Sequence, residues 1–381
     1  MIYFDNNATT AIAPEVFEAM KPFLTNEFGN PSSSHSASVA ARRVIANARE
    51  NVAELIGADS PSEIVFTSGG TESDNWAILG ALKLQPEKQH IVTTRIEHEA
   101  VRNLCTKLEQ HGYRVTWLDV NESGELDLDD LRNAVTPDTA VVSIMAANNE
   151  TGIIFPFGEA AAIVKESSDA LFHSDAVNAS GKIAINVKET AVDLLAISGH
   201  KFHAPKGIGA LYIRDGIKLP PSLIGGGQES GRRAGTEAVH QIAGIGAASV
   251  LVKDLPQMER IRGLRDRLEA GILTTAPNSR LNGTADVTQR LPNTSSISFE
   301  NSNGEMIMHS LDELGICVST GSACNDSGRR ASAVLQAMNV PYSRAMGAIR
   351  FSLGRYNTDA EVDFVLEKLP GIIKKLHAMA V

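Results

Sequence analysis

The chain has 381 residues, 43% hydrophobic and 21% charged, with a formal net charge of −10. These values fit a globular protein long enough for two domains and a substantial core. The acidic balance argues against direct nucleic-acid binding, which needs a basic face for phosphates, and no apolar run is long enough to span a bilayer. The cysteines, Cys105, Cys317 and Cys324, number 3 and form no Cys-x-x-Cys pair. That count predicts no disulfide framework and a cytoplasmic address. Met1-Ile2-Tyr3-Phe4-Asp5 has no basic segment leading into an apolar one, so no signal peptide is expected.

In chain order, Ser38 to Ile56 sets Val44, Ala48, Val52 and Leu55 on one side, as a helix does. Ile64–Thr67 is strand-like and leads into Ser68-Gly69-Gly70-Thr71-Glu72-Ser73, with a helix expected over Asp74–Leu84. Paired glycines let a backbone approach an anion, and free N–H groups at a helix start bind phosphate. An ordinary turn with a threonine cap reads the same way locally. After the strand Ile91–Thr93 comes His98, at the strand end where open α/β sheets bind ligands. It is placed either to stack on a ring and relay protons or to cap the helix predicted over Val101–Gln110. The strand Val115–Leu118, the helix Leu126–Val135 and the strand Ala140–Ile144 follow. Asn148-Asn149 then offers two neutral amides to a ring oxygen or a carboxylate, or simply makes a turn. Alternation of short apolar strands with helices predicts a parallel α/β sheet covered on both faces.

Two further strand ends carry the most specific signal. Leu171–Ser174 ends at Asp175, and Asp193–Ile197 leads into Ser198-Gly199-His200-Lys201. Desolvation of a lysine just past a buried strand favours its nucleophilic amine. A Schiff-base lysine with an aspartate for a pyridinium nitrogen is the pairing pyridoxal phosphate needs. His200 and His203 lie three apart, but the intervening Lys201 and the following Pro205 argue against a metal pair, and no metal site is expected. The glycine-rich run Gly225 to Thr236 is expected to form a functional or interface loop. Beyond it, a helical stretch from Glu237 to Leu273 breaks near Pro256. A strand over Ser295–Phe299, a helix near Glu305–Leu314, a strand over Ile349–Ser352 and a helix after Thr358 complete a smaller α+β part. Cys324 has only small or polar neighbours, which predicts the exposure that a nucleophilic thiolate requires, whereas Cys317 and Cys105 read as packing. Arg350, inside an apolar strand, needs either a substrate carboxylate or an internal acid.

Nearly end to end, the chain resembles the pyridoxal-phosphate cysteine desulfurases of the NifS/IscS type. The blocks that carry the likeness are Tyr3 to Thr10, Phe28-Gly29-Asn30-Pro31-Ser32-Ser33, Thr67 to Asp74, Ser198-Gly199-His200-Lys201, Gly321-Ser322-Ala323-Cys324 and Arg350 to Arg355. The resemblance implies a fold-type-I α/β homodimer with a mostly parallel sheet. It places a large cofactor domain over 15–258 and a small domain over 1–14 and 259–381 that carries the nucleophile loop. It implies that Lys201 bonds the cofactor, that Asp175 holds the ring nitrogen, and that His98 stacks on the ring and moves protons. Gly70, Thr71, Ser198 and His200 would hold the phosphate, with Thr236 arriving from the partner. Asn149 would touch cofactor and substrate, and Arg350 with Asn30 would bind the L-cysteine carboxylate. Cys324 would receive the sulfur as a persulfide, meeting iron only in transit, and pass it to an acceptor such as an iron–sulfur scaffold. Where the family usually has glutamine, donating to the ring's phenolate oxygen, this chain has the shorter Asn178. The segment after Cys324 also departs from the family pattern. A selenocysteine lyase, another fold-type-I enzyme, and a partner-binding protein that keeps the fold without catalysis are the competing readings.

Overall fold

The computed structural model describes residues 1–253, 256–321 and 331–379. The chain opens with β1 (Ile2–Tyr3), α1 (Pro14–Thr25) and α2 (Val39–Ile56). The αL residue Gly57 closes α2, its N–H bonding back to the last turn. A larger unit follows: β2 (Ile64–Thr67), α3 (Gly70–Leu84), β3 (His90–Thr94), α4 (Glu99–Gln110), β4 (Arg114–Leu118), α5 (Leu128–Ala134), β5 (Thr139–Ser143), α6 (Phe157–Ser167), β6 (Leu171–Asp175), β7 (Leu194–Ser198) and β8 (Gly209–Ile213). Its seven strands form one sheet in the order β2-β8-β7-β6-β5-β3-β4. Every residue of β2, β3, β5, β6, β7 and β8 is buried, as strands covered on both faces must be.

The sheet is mostly parallel, with one departure from the sequence expectation. β8 runs antiparallel to both β7 and β2. The stretch between Ser198 and Gly209 is too short for a helical crossover, so the chain turns straight back. Because β8 is antiparallel to both neighbours, the C-terminal ends of β2, β7, β6, β5 and β3 share one edge of the sheet. Thr67 and Ser198 both pair with Gly209 there.

Helix α7 (Val239–Leu251) packs on α1 and α2, its buried residues joining the core of the larger unit, and the second unit begins with α8 (Pro256–Thr275), which starts on a proline whose missing N–H costs nothing at that position. It continues through β9 (Ser279–Leu281), β10 (Thr294–Phe299), α9 (Gly304–Asp312), β11 (Ile316–Cys317), α10 (Ala333–Ala337), α11 (Tyr342–Ala345), β12 (Ala348–Ser352) and α12 (Asp359–Met379). An antiparallel sheet of order β12-β10-β9 packs its apolar residues Ile297, Phe299, Ile349 and Phe351 with α8 and α12. The N-terminus returns to this unit: β1 pairs with β11, Asp5 bridges to Ser352, and Phe4 is buried in its core. Residues 6–10 therefore run from the small sheet to the edge of the large one, and both units frame the same cleft. No helix among the described residues is long and apolar enough to cross a membrane.

Candidate active site

The shared edge of the large sheet opens on two adjoining cavities of about 190 and 500 Å³, both lined by Gly70, Thr71, Ser198 and His200. The smaller also takes Asp175, Lys201, His98, Asn149 and Asn178. Five separate strand ends thus bring together most of the residues selected from the sequence. Helix α3 begins at Gly70, four residues earlier than expected, so the glycine pair lies at its N-terminus. The first amide bonding back along this helix is that of Ser73, to Gly69 O. The preceding amides are left at the positive end of the helix dipole, facing the cavities. A Cβ at Gly70 would come within 2.6 Å of Val177 Cγ2, and one at Gly209 within 2.7 Å of Gly69 Cα. The cradle is packed to a depth that only glycine allows.

Lys201 Nζ donates to Asn7 O at 2.6 Å and to Ala8 O at 3.0 Å, so the N-terminal segment aims this amine. His98 caps the next helix, one of its two expected roles, and also lines the cavity. Its Nδ1 accepts from Ala100 N–H at 3.2 Å, capping α4, and this leaves the ring proton on Nε2. His200 Nδ1 lies 3.1 Å from Thr9 Oγ1, and burial pushes its pKa down to about 4, keeping it neutral. Arg350 Nη2 bonds Asp5 Oδ1 at 2.7 Å and Nη1 bonds Asn149 O at 3.0 Å, so of the two sequence alternatives the structure supplies the internal acid, Asp5. Its Nε is buried and unpartnered among the described residues, and Arg350 lines neither of the two cavities.

Three features were not singled out from the sequence. The first is an acid cluster: Asp74 shares the cavity wall with Asp175, and Glu97 lies within electrostatic reach of both. Burial, then mutual repulsion, raises Asp74 well above the usual carboxylate range, and burial raises Asp175 too. Glu97 is pushed up to about 8 by burial. Neutral Asp74 faces His173 Nε2 at 3.4 Å, while His173, lowered to about 3 by burial, meets Ser143 Oγ through Nδ1. A cationic ring nitrogen at this edge would answer the unbalanced acid. The second is Asn7, whose side chain bonds Thr294 Oγ1, Asn149 O, Lys182 Nζ and Asn293 Nδ2. The third is Glu150, next to Asn149, half-buried, raised by desolvation to about 7 and accepting from Ser332 Oγ. An alternation pattern marks strands but not which acid of α3 faces inward, so none of the three had a sequence signal beyond proximity to a marked motif.

Asn30 is exposed, its Oδ1 accepting from Ser32 N–H at 2.9 Å, and Thr236 is exposed on the glycine-rich run. Neither lines the cavities of its own chain. Cys324 lies outside the described residues. Cys105 is buried, its thiol pushed up to about 12 by burial, and Cys317 is half-buried with its thiol raised for the same reason.

The model of the family "Aminotransferase class-V" matches residues 2–365. The chain belongs to the class-V aminotransferases. Among family members, a cysteine desulfurase of Trichormus azollae is 53% identical over all of this chain and 94% of its own length. The cysteine desulfurase NifS of Azotobacter vinelandii is 47% identical over 99% of this chain and 93% of its own. Of the solved structures, a NifS-like protein superposes with a TM-score of 0.92 at 40% identity, covering 98% of this chain and all of its own. SspA, solved in complex with cysteine, gives 0.83 at 36% identity, covering 94% of this chain and all of its own.

Class-V aminotransferases of this desulfurase branch depend on pyridoxal phosphate. The residues here fit that group: a glycine cradle at a helix N-terminus for its phosphate, a surplus of buried acid for its ring nitrogen, and an amine for its aldehyde on the same cavity wall.

Proposed function

We propose that this chain is a pyridoxal-phosphate cysteine desulfurase that converts L-cysteine to L-alanine and takes the sulfur onto Cys324. The observation that carries the reading is one cavity shared by Lys201, Asp175, His98 and the Gly70–Thr71 helix start. Bound through Lys201, the cofactor supplies an electron sink for the pair left at the substrate Cα. Asp175 keeps its charge beside a protonated ring nitrogen, and Gly70, Thr71, Ser198 and His200 hold the phosphate. Arg350, with Asn30, binds the substrate carboxylate, and Asn149, whose carbonyl bonds Arg350, lies at the junction of substrate and cofactor. With the cofactor bound, Lys201 would take the Cα proton, and His98, which lines the same cavity, would move protons through its Nε2–H. The Cys324 thiolate then attacks the substrate sulfur: the new S–S bond forms, the Cβ–S bond breaks, and its electron pair goes to Cβ, which takes a proton. Cysteine and one enzyme thiol thus give alanine and a persulfide, with no external oxidant.

The large domain is placed over 15–258 and the small one over 1–14 and 259–381, a division supported by the separate apolar core of Phe4, Ile261, Phe351 and their neighbours. The active unit is a homodimer. Exposed Leu223 and Ile224, beside the glycine-rich run, and a groove of about 840 Å³ lined by Leu79, Leu104, Leu108 and Tyr113 support this. The groove opens beside Thr71 and His98, where the exposed Thr236 of a second copy would reach the phosphate. The cytoplasm is the compartment that the 3 cysteines favour. The sulfur passes to an acceptor protein, such as an iron–sulfur scaffold.

The test is Cys324→Ser. The variant is expected to keep the yellow cofactor and lose alanine production by about 100-fold or more, as removal of a nucleophile does. Peptide mapping after labelled cysteine should find the extra sulfur on residue 324 in the parent and nowhere in the variant. Full turnover by Cys324→Ser would overturn the assignment.

A further inference from the structure

Behind the cavity lies a second lysine that the mechanism above leaves unused. Asp175, Asn178 and Lys182 sit on one tight stretch that follows β6, with Ser180 N–H bonding Ala176 O and Ile183 N–H bonding Ala179 O. Gly181 adopts φ +73°, where a Cβ would strike Val252 Cγ2 at 2.8 Å, and this turn directs the next residue inward. Lys182 is buried. Its Nζ lies 3.0 Å from Asn7 Oδ1 and 3.3 Å from Asn178 Oδ1. Lys182 has no ion pair with an acid among the described residues, and a buried lysine in that position is costly, so its contacts should do something that a methionine could not.

The Asn7 contact is fixed by chemistry. Asn7 Nδ2 is committed to Asn149 O and Thr294 Oγ1, so its Oδ1 must face Lys182 and Asn293, and Lys182 must donate to it. Burial, with Lys201 and Arg350 as cationic neighbours, pushes the Lys182 amine well below its ordinary pKa. Even the neutral amine keeps two N–H groups, one for each asparagine oxygen. With Oδ1 of Asn178 held from behind, its Nδ2 is the end left to the cavity that the side chain lines.

We propose that Lys182 is a positioning residue that locks the Asn178 amide with its N–H₂ end toward the ring of the cofactor. This rests on the cofactor reading above and deepens it. Asn178 stands one methylene short of the glutamine usual in the resembling family, and without a partner behind it a short amide has only a lengthened contact with the phenolate to hold its orientation. A donor behind it fixes that orientation. Lys182 touches neither substrate nor cofactor and acts through Asn178.

The experiment titrates pyridoxal phosphate into apo-protein, following the visible band for wild type, Lys182→Met, Lys182→Gln, Asn178→Ala and the Lys182→Met/Asn178→Ala double variant. Melting curves of each apo-protein report folding. Lys182→Met should weaken cofactor binding about tenfold and move the band, the size of effect one hydrogen bond gives. Asn178→Ala should do the same, and the double variant should bind no more weakly than either single one, because both remove one interaction. Lys182→Gln, which retains an N–H₂ donor on a side chain one atom shorter, should restore binding and band most of the way to wild type. Should Lys182→Met not fold, Lys182→Gln alone and combined with Asn178→Ala carries the comparison: near-wild-type binding by the first and loss of it by the second support the proposal. A Lys182→Met protein with unchanged affinity and band overturns it, as do single effects that multiply in the double variant or a glutamine that fails to rescue a folded protein. Wild-type protein that takes up no cofactor would instead sink the functional reading itself.

Discussion

Arg350 occupies the centre of β12 with its guanidinium divided between Asp5 and the carbonyl of Asn149. The planar fork does two jobs at once: it ties the N-terminal segment to the cavity and retains Nε as a spare donor. A lysine would preserve the charge facing Asp5 but not the fork. Arg350→Lys is therefore expected to raise the KM for cysteine by about 10- to 100-fold while leaving the cofactor band in place. Steady-state kinetics alongside the absorbance spectrum check this, and an unchanged KM would remove Arg350 from substrate binding. At this scale the sequence was legible where chemistry and position coincide. Lys201 and Asp175 are rare residue types at strand ends, and each end marks the cavity edge. Asn7, Asp74 and Lys182 were not legible. Asparagine and aspartate are ordinary in turns and helix starts, and the contacts that make Asn7 a hub join residues 7, 149, 182 and 293 across the whole chain.

At the scale of elements, strand–helix alternation gave every strand of the large sheet except β8, because its start, Gly209, follows a turn-rich run that reads as loop. That glycine turns out to matter. A Cβ on it would meet Ile197 O at 2.5 Å and Gly69 Cα at 2.7 Å, both backbone atoms that cannot swing aside. Gly209→Ala is expected to cost about 1–3 kcal/mol of stability through overpacking. It should also weaken cofactor binding by pushing the Gly69–Gly70 loop off the sheet. Gly263, exposed in α8, would bring its Cβ near nothing within 4 Å. Gly263→Ala should stabilise by about 0.5–1 kcal/mol through helix propensity alone and leave cofactor binding unaltered. Urea unfolding and cofactor titration of the two variants separate a packing glycine from a merely flexible one. Equal behaviour would mean that the loop is not held by β8.

Across the whole molecule, the large sheet gathers three carboxyl groups, Asp74, Glu97 and Asp175, into its interior, and burial raises all three. Glu97 illustrates the consequence. Its Oε1 accepts from Thr94 and from Met145 N–H, but Oε2 is buried without a partner among the described residues, and the carboxyl is raised from 4.5 to about 8. In the folded state the group stays protonated over a range in which the unfolded chain has already released its proton. The folded state then binds more protons than the unfolded one, so rising pH draws the equilibrium toward unfolding. Below 4.5 both states are protonated and the effect vanishes; above about 8 both are ionised and it reaches its limit. Glu97→Gln replaces the acid with a neutral isostere that keeps the Oε1 contacts and has no proton to lose. The stability difference, variant minus wild type, should therefore grow with pH by about 1.4 kcal/mol per unit at most across that window and then level off. Paired urea titrations of the apo-proteins between pH 5 and 8.5 measure it directly. A difference that stays flat across this range would mean that Glu97 is ionised inside the fold, and the acid cluster would then be a set of charges already compensated before any cofactor arrives.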